Sequence, residues 1–291
     1  MKQKAKAEIC MVELFKFLEL EFETAPGNYG WFHLLSLGII IAITVLLIIF
    51  FRNASDKKFR TIIAILWGIM VLGEIYKQLT FTFTVDGDQL NAHYQWYAFP
   101  FQLCSTPLYV LPFVAFLKDG KVRRACMAYS SFFAFFGGLA VMIFPGNVFV
   151  RQIGIDVQRM MHHGFQFVTG VFISVWNRKI LNYKYWLSSI PVYIVLICIA
   201  CSMNGTAFLL YDKAGVTELS GFNMFYVRHD LECALPLMSD IQKMVNPYLF
   251  FFIYLLGFIL VSGVMFGLKL LFVVLIPNLI SHNKDTEREN A

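Results

Sequence analysis

The amino-acid sequence predicts an all-α, polytopic bundle of seven transmembrane helices. Three observations carry that expectation. The chain is 58% hydrophobic and only 15% charged, with a mean hydropathy of +0.63, whereas a soluble domain is about half apolar and about a quarter charged. Seven segments approach the roughly 20 mostly apolar residues that a spanning helix needs. The loops between them alternate between basic and non-basic, as the charge rule for membrane topology requires. A length of 291 residues suits one bundle rather than several domains. The net charge of +5 fits basic loops on one side of a membrane. No Lys/Arg-rich, aromatic-interleaved segment points to nucleic acid.

Residues 1–30 are read as an amphipathic N-terminal segment. In "AEICMVELFKFLELEFE", Lys16, Glu19 and Glu23 recur at helical spacing among Leu14, Phe15 and Leu18, which predicts a helix lying on the membrane surface. The end of the stretch also alternates like a strand. No secretory signal is expected, because the first long apolar run begins near Trp31, behind a charged segment. The membrane domain spans 31–276, with helices over 31–52, 61–83, 97–117, 124–145, 158–177, 185–205 and 247–275. Between the sixth and seventh helices, 206–246 is too long for a simple connector and too apolar for disorder, and is expected to cap the outer face. A polar cytoplasmic tail covers 277–291.

Orientation follows from the loops. Arg52, Lys57, Lys58 and Arg60 fall in one, Lys118, Lys121, Arg123 and Arg124 in the next but one, and Arg178, Lys179 and Lys184 in a third. The alternate loop "TVDGDQLNAHYQW" carries Asp86 and Asp88 with no Lys or Arg. The N-terminus is therefore expected outside and the C-terminus in the cytoplasm of a cell-membrane protein, with Lys2, Lys4 and Lys6 dissenting.

Six cysteines are present: Cys10, Cys104, Cys126, Cys198, Cys201 and Cys233. Most lie in apolar runs, and Cys198-Ile-Ala-Cys201 sits mid-helix without the strand or turn of a redox motif, so packing is expected there. Within "FPFQLCSTP", Pro100 and Pro107, followed by Pro112, interrupt the third helix and free backbone carbonyls that neighbours must satisfy.

Depth along the helices gathers the polar residues into one layer. Counting about 1.5 Å per residue from the outside, His33, Glu74, Lys77, Gln102, Cys104, His162, His163, Gln166 and Asn204 all fall in about the outer third of the bilayer. The inner halves of the first three spans carry almost nothing ionisable. Polar side chains inside a membrane normally face a bundle interior or a watery cavity, so this layer predicts a polar cavity. Gly137, Gly138 and Gly164 offer places where backbones approach closely.

Two chemistries compete for that cavity. In the first, Cys104 is a nucleophile, His162 or His163 its base, and Glu74 the group that orients the imidazole. Gln102 and Asn204 would donate to an oxyanion, with His33, Lys77 and Gln166 on the substrate. In the second, Glu74, Lys77 and the histidines carry a proton or bind a solute in a transporter or sensor. A non-catalytic accessory subunit is a third expectation, with Glu74 and Lys77 as an internal ion pair. Adjacent histidines point about 100° apart on a helix, with no ligand at the right spacing beside them, so no metal is expected. No Gly-rich phosphate cradle with a lysine occurs, so neither nucleotide nor other cofactor is expected.

"FPFQLCS", "HHGFQ" and "NGTAFLLYDKAG" resemble the bacterial YwaF family of seven-helix membrane proteins, which is distantly similar to the eukaryotic transmembrane protein 164 group. That resemblance implies a membrane-lipid partner and lipid acyl transfer through a cysteine nucleophile. The chain departs from the family pattern at Gln102, where histidine is usual, and at Ala207 and Phe208, which replace Asn and Tyr.

Overall fold

Side-chain caps or prolines mark the start of several helices. The computed structural model describes residues 2–275 and Pro277; the expected tail over 277–291 otherwise lies outside the described residues. The chain opens with α1 (Lys2–Leu18), followed by α2 (Trp31–Phe51) and α3 (Asp56–Thr80), the last begun by Ser55, whose side chain accepts from the Lys58 N–H. A hairpin, β1 (Phe83–Asp86) and β2 (Gln89–Ala92), then turns back through Gly87-Asp88. Gly87 has φ +61°, which a side chain would resist. After short 3₁₀ turns come α4 (Pro107–Phe116), α5 (Lys121–Tyr129), a π-helical turn over Ser130–Ala134, and α6 (Phe135–Ile143). The chain continues through α7 (Ile153–Trp176), α8 (Tyr183–Leu187), α9 (Ser189–Ala214), α10 (Met238–Met244) and α11 (Pro247–Lys269), ending in a second π segment over Leu270–Leu275.

Among the described residues, five helical segments are long and apolar enough to cross a membrane: Trp31–Phe51, Asp56–Thr80, Lys121–Ile143, Tyr183–Ala214 and Pro247–Leu275. Leu103–Phe116 is apolar but shorter. Large exposed side chains such as Leu35, Ile39, Leu46 and Phe50 on α2 form an apolar surface of the kind that lipid covers. This is a multi-pass membrane protein.

Within the bundle, α7 is the hub and packs against α2, α3, α6 and the π turn. Small residues make that possible. A Cβ on Gly138 would come within 2.5 Å of the His163 carbonyl and 2.9 Å of the Phe167 amide, so α6 and α7 touch backbone to backbone there. The indole N–H of Trp67 donates to the Leu108 carbonyl at 2.9 Å, the group that Pro112 leaves without its helical donor.

At the end of the bundle away from the hairpin, the loop arginines tie helices together. Arg60 donates to the Ala115 and Phe116 carbonyls at 2.7 Å each and so closes the C-terminus of α4. Arg123 meets Asp56 at 2.6 Å, and Arg178 donates to Asn53 at 2.7 Å.

Three findings differ from the sequence-based expectation. The loop after α3 contains a hairpin, so the protein is not purely helical. The third expected span divides: a 3₁₀ turn at Trp96–Ala98, a break, a second turn at Leu103–Ser105, and only then α4. The sixth runs on to Ala214, two turns past its expected end, before Gly215 at φ +70° stops it. In α1, Phe15 packs on Phe83 with ring centroids 5.2 Å apart, and beyond the helix Glu21 bridges to Gln152, in line with the strand-like alternation there.

Replacing Gly138 with alanine is expected to lower stability by about 1–3 kcal/mol through overpacking against backbone. Gly205→Ala, where a Cβ meets nothing within 4 Å, should leave it unchanged or slightly raised. Thermal unfolding midpoints of the two variants in the same detergent check the contrast.

Candidate functional site

Pro107 has no N–H, so the Cys104 carbonyl cannot find its partner three residues on in the 3₁₀ turn that carries it. Two side chains of α7 take that carbonyl instead. His162 Nε2 lies 2.9 Å from it and Gln166 Nε2 donates to it at 2.5 Å. One turn of α7 thus grips the turn that bears the cysteine. Gly137, whose Cβ would lie 3.9 Å from the Cys104 Cα, leaves room for the approach.

The same bonds fix the histidine chemistry. A carbonyl only accepts, so His162 is protonated on Nε2, and its buried Nδ1, which has no partner among the described residues, is a bare acceptor. His163 Nδ1 lies 2.8 Å from the Arg159 carbonyl one turn back, which makes its Nε2 the acceptor. Neighbouring imidazoles thereby present bare nitrogens of opposite kind.

A cavity of about 270 Å³ lies at this place. Glu74, Lys77, Gln102, Cys104, His162 and His163 line it, which brings six of the nine expected site residues together. Glu74 and Lys77 form the internal ion pair, 2.7 Å apart, and Gln78 also donates to Glu74 at 2.7 Å. No hydrogen bond joins Glu74 to either imidazole among the described residues; main-chain carbonyls orient the rings. Gln102 donates to the Asn223 carbonyl at 2.8 Å, leaving its own buried oxygen unpartnered.

Three expected residues lie elsewhere. His33 is fully buried between the Tyr29 amide and the Met142 carbonyl, 3.0 Å from each, and joins α2 to the end of α6. Gln166 stands behind the cysteine rather than in front of it. Asn204 faces the segment after α9, accepting from the Met224 N–H at 2.7 Å and donating to its carbonyl at 2.9 Å.

Sequence reasoning missed Gln158, Arg159, Asn223 and Tyr226, all of which line the cavity. Gln158 and Arg159 are on the α7 face one turn before the histidines, so helical spacing from His162 and His163 was the available signal. Asn223 and Tyr226 belong to the segment expected to cap the bundle, and no periodicity marks them. That segment is held in an unusual form. Phe225 and Tyr226 both have φ +56°, a left-handed conformation costing on the order of 1–3 kcal/mol per residue. Its supports are Asn204, Gln102 and the buried Arg228, which donates to the Leu219 and Phe222 carbonyls at 2.7 and 3.0 Å and to both oxygens of Asp230 at 2.7 Å.

Lys269 is also buried, at the far end of α11. It donates to the Ser131 and Gly170 carbonyls and to Ser174 Oγ at 2.5, 2.8 and 3.0 Å, and lies 3.6 Å from the centroid of the Phe135 ring. All three ammonium hydrogens are used. All six cysteines are free; Cys198 is exposed and Cys201 half-buried on α9. Among the described residues no group of three or more His, Cys, Asp or Glu could hold a metal ion.

Burial disfavours the Asp230 carboxylate, but its hydrogen bonds and charge contact with Arg228 prevail and hold its pKa below the usual range. A group depressed on folding contributes stability above its unfolded value, about 3.9, and loses it as pH falls through the folded value. Acidification is therefore expected to loosen segment 215–237. Limited proteolysis of that segment should rise with falling pH in the wild type, and Asp230→Asn should be cut readily already at neutral pH.

No curated protein and no solved structure matches the chain. The TMEM164 family model matches residues 28–269, from just before α2 to the last residue of α11, and includes every residue of the cavity. This chain belongs to the TMEM164 family.

Proposed function

We propose that the protein is a lipid acyltransferase that carries its acyl group on Cys104, with His162 as the base. One observation supports this above others: a half-buried cysteine shares a cavity between apolar helices with an imidazole whose orientation its own main chain sets. A thiolate is the nucleophile and needs a base beside it. The bare Nδ1 of His162 takes the thiol proton as Sγ attacks the ester carbonyl of a membrane lipid. The tetrahedral intermediate collapses, the acyl C–O bond breaks, and the departing alcohol leaves with the proton held by the imidazolium. A hydroxyl of a second lipid then gives its proton to the same nitrogen and attacks the thioester carbonyl; the C–S bond breaks, and the leaving thiolate takes that proton back from the imidazolium, which restores the thiol. No cofactor, nucleotide or nucleic acid enters this scheme. Lys77 and Arg159 together outweigh the charge of Glu74 in the cavity, which suits the phosphate of a membrane lipid.

The same reading places seven spans in the membrane, adding Leu103–Phe116 and α7 to the five long apolar ones, as in the YwaF-type bundle. The cavity opens at the outer face of the cell membrane, with the N-terminus outside and the C-terminus in the cytoplasm, on the strength of the basic loops at the opposite end. The exposed Met11, Leu14 and Phe17 of α1 then rest on the outer leaflet. The buried Glu74–Lys77 pair favours a second reading, a proton-coupled or solute-binding cavity.

Intact mass of protein purified from membranes tests the acyl-enzyme. The wild type is expected to carry a fatty-acyl adduct that hydroxylamine removes and that Cys104→Ala lacks. An adduct that persists in Cys104→Ala would sink the proposal. So would a wild type without adduct or transfer from labelled glycerolipid, and loss of function in Glu74→Gln but not in Cys104→Ala would favour the second reading. Kinetics separate the histidines: His162→Ala should slow Cys104 acylation by about 10²–10⁴-fold, as loss of a general base does, and His163→Ala by less than about tenfold. Equal losses would remove the assignment to His162.

A further inference from the structure

Acyl transfer requires hydrogen-bond donors where the ester oxygen becomes negative, and most polar side chains around Cys104 have their donors engaged elsewhere. His162 and His163 present bare nitrogens. The Gln102 amide nitrogen donates to the Asn223 carbonyl, and Asn204 is engaged at both ends by Met224. Lys77 is held by Glu74, and Arg159 donates to the Val148 carbonyl.

The Ser105 hydroxyl, the Gln158 amide and the Tyr226 hydroxyl line the cavity with donors that no hydrogen bond engages among the described residues, and of the three only Tyr226 stands on a left-handed backbone. It lines the same cavity from the segment after α9, a different wall from the turn that bears Cys104, and its hydroxyl has no hydrogen-bond partner among the described residues. Burial, with smaller contributions from Cys104 and Cys233, pushes its phenol up to about 12, so it keeps its O–H at neutral pH. The backbone beneath it is held in a left-handed conformation at two successive residues that carry side chains, Phe225 and Tyr226. Such outliers persist only where the surroundings over-determine them, and they collect at functional sites. Here Asn204 anchors Met224, Gln102 anchors Asn223, and Phe225 is buried with its ring 6.0 Å from that of Phe101. The anchors hold Tyr226 at the cavity that Gln102 and Cys104 also line.

From this geometry we infer that Tyr226 is a further catalytic residue, whose hydroxyl donates to the acyl oxygen while Cys104 Sγ attacks the ester. The inference rests on the acyl-transfer reading. The hydroxyl keeps its proton throughout: it stabilises the oxyanion by hydrogen bonding, and the thiol proton goes to histidine as before.

Tyr226→Phe keeps the ring and removes the donor. The initial rate of hydroxylamine-labile acylation at Cys104 is expected to fall by about 10²–10³-fold, the loss seen when one oxyanion donor is removed, with the half-saturating lipid concentration and the thermal midpoint unchanged. As a second probe, 3,5-difluorotyrosine at position 226 lowers the phenol pKa without altering its shape. The alkaline limb of the acylation pH profile should then move to lower pH, which a purely structural role does not produce. A Tyr226→Phe rate within about threefold of wild type, or an alkaline limb that stays in place, overturns the inference while wild-type acylation still supports the acyl-enzyme. A wild type that neither acylates nor transfers removes both.

Discussion

The Cys104 carbonyl is the point on which the site depends. Proline three residues on leaves it without a local donor, and a buried carbonyl without a partner costs on the order of 1–3 kcal/mol. Its partners therefore come from α7, through His162 and Gln166. That single requirement fixes the register of α7 against the broken third segment, the tautomer of His162 and the position of the cysteine. The glycines of α6 are the counterpart, because α7 could not come so near if Gly137 and Gly138 carried side chains.

Around this core, the two ends of the molecule are built differently. Away from the cavity, arginines donate to carbonyls and carboxylates of neighbouring helices, so charges that bias topology also fasten the bundle. At the cavity, the covering segment after α9 has little regular structure and relies on Asn204 and Arg228, each making several bonds to its main chain. Catalytic and binding residues often sit on such loops, positioned by a rigid scaffold.

Much of this was legible in the sequence. Depth counting brought Glu74, Lys77, Gln102, Cys104, His162 and His163 to one level, and all six line one cavity, because ionisable groups at equal depth have few other places to go. Depth says nothing about direction around a helix axis. His33, at the same level, joins α2 to α6, while Gln166 and Asn204 hold backbone. Orienting partners were equally hidden, since the groups that fix both imidazoles are main-chain carbonyls and leave no trace in residue identity. The hairpin did carry a signal, Gly87-Asp88 between short runs, overshadowed by the reading of its surroundings as a connecting loop. Tyr226 carried none, since its place depends on two backbone angles that aromatic residues seldom adopt.

Lys269 has a consequence for motion. Its ammonium is enclosed by Ser131, Gly170, Ser174 and the Phe135 ring, from α7, the π turn and α6. A slide of α11 past these helices by even one turn, about 5.4 Å, would strand a cation in hydrocarbon. The far half of the bundle thus behaves as a clamped hinge plate, and whatever breathing admits a ligand is left to the lighter cover at the opposite end.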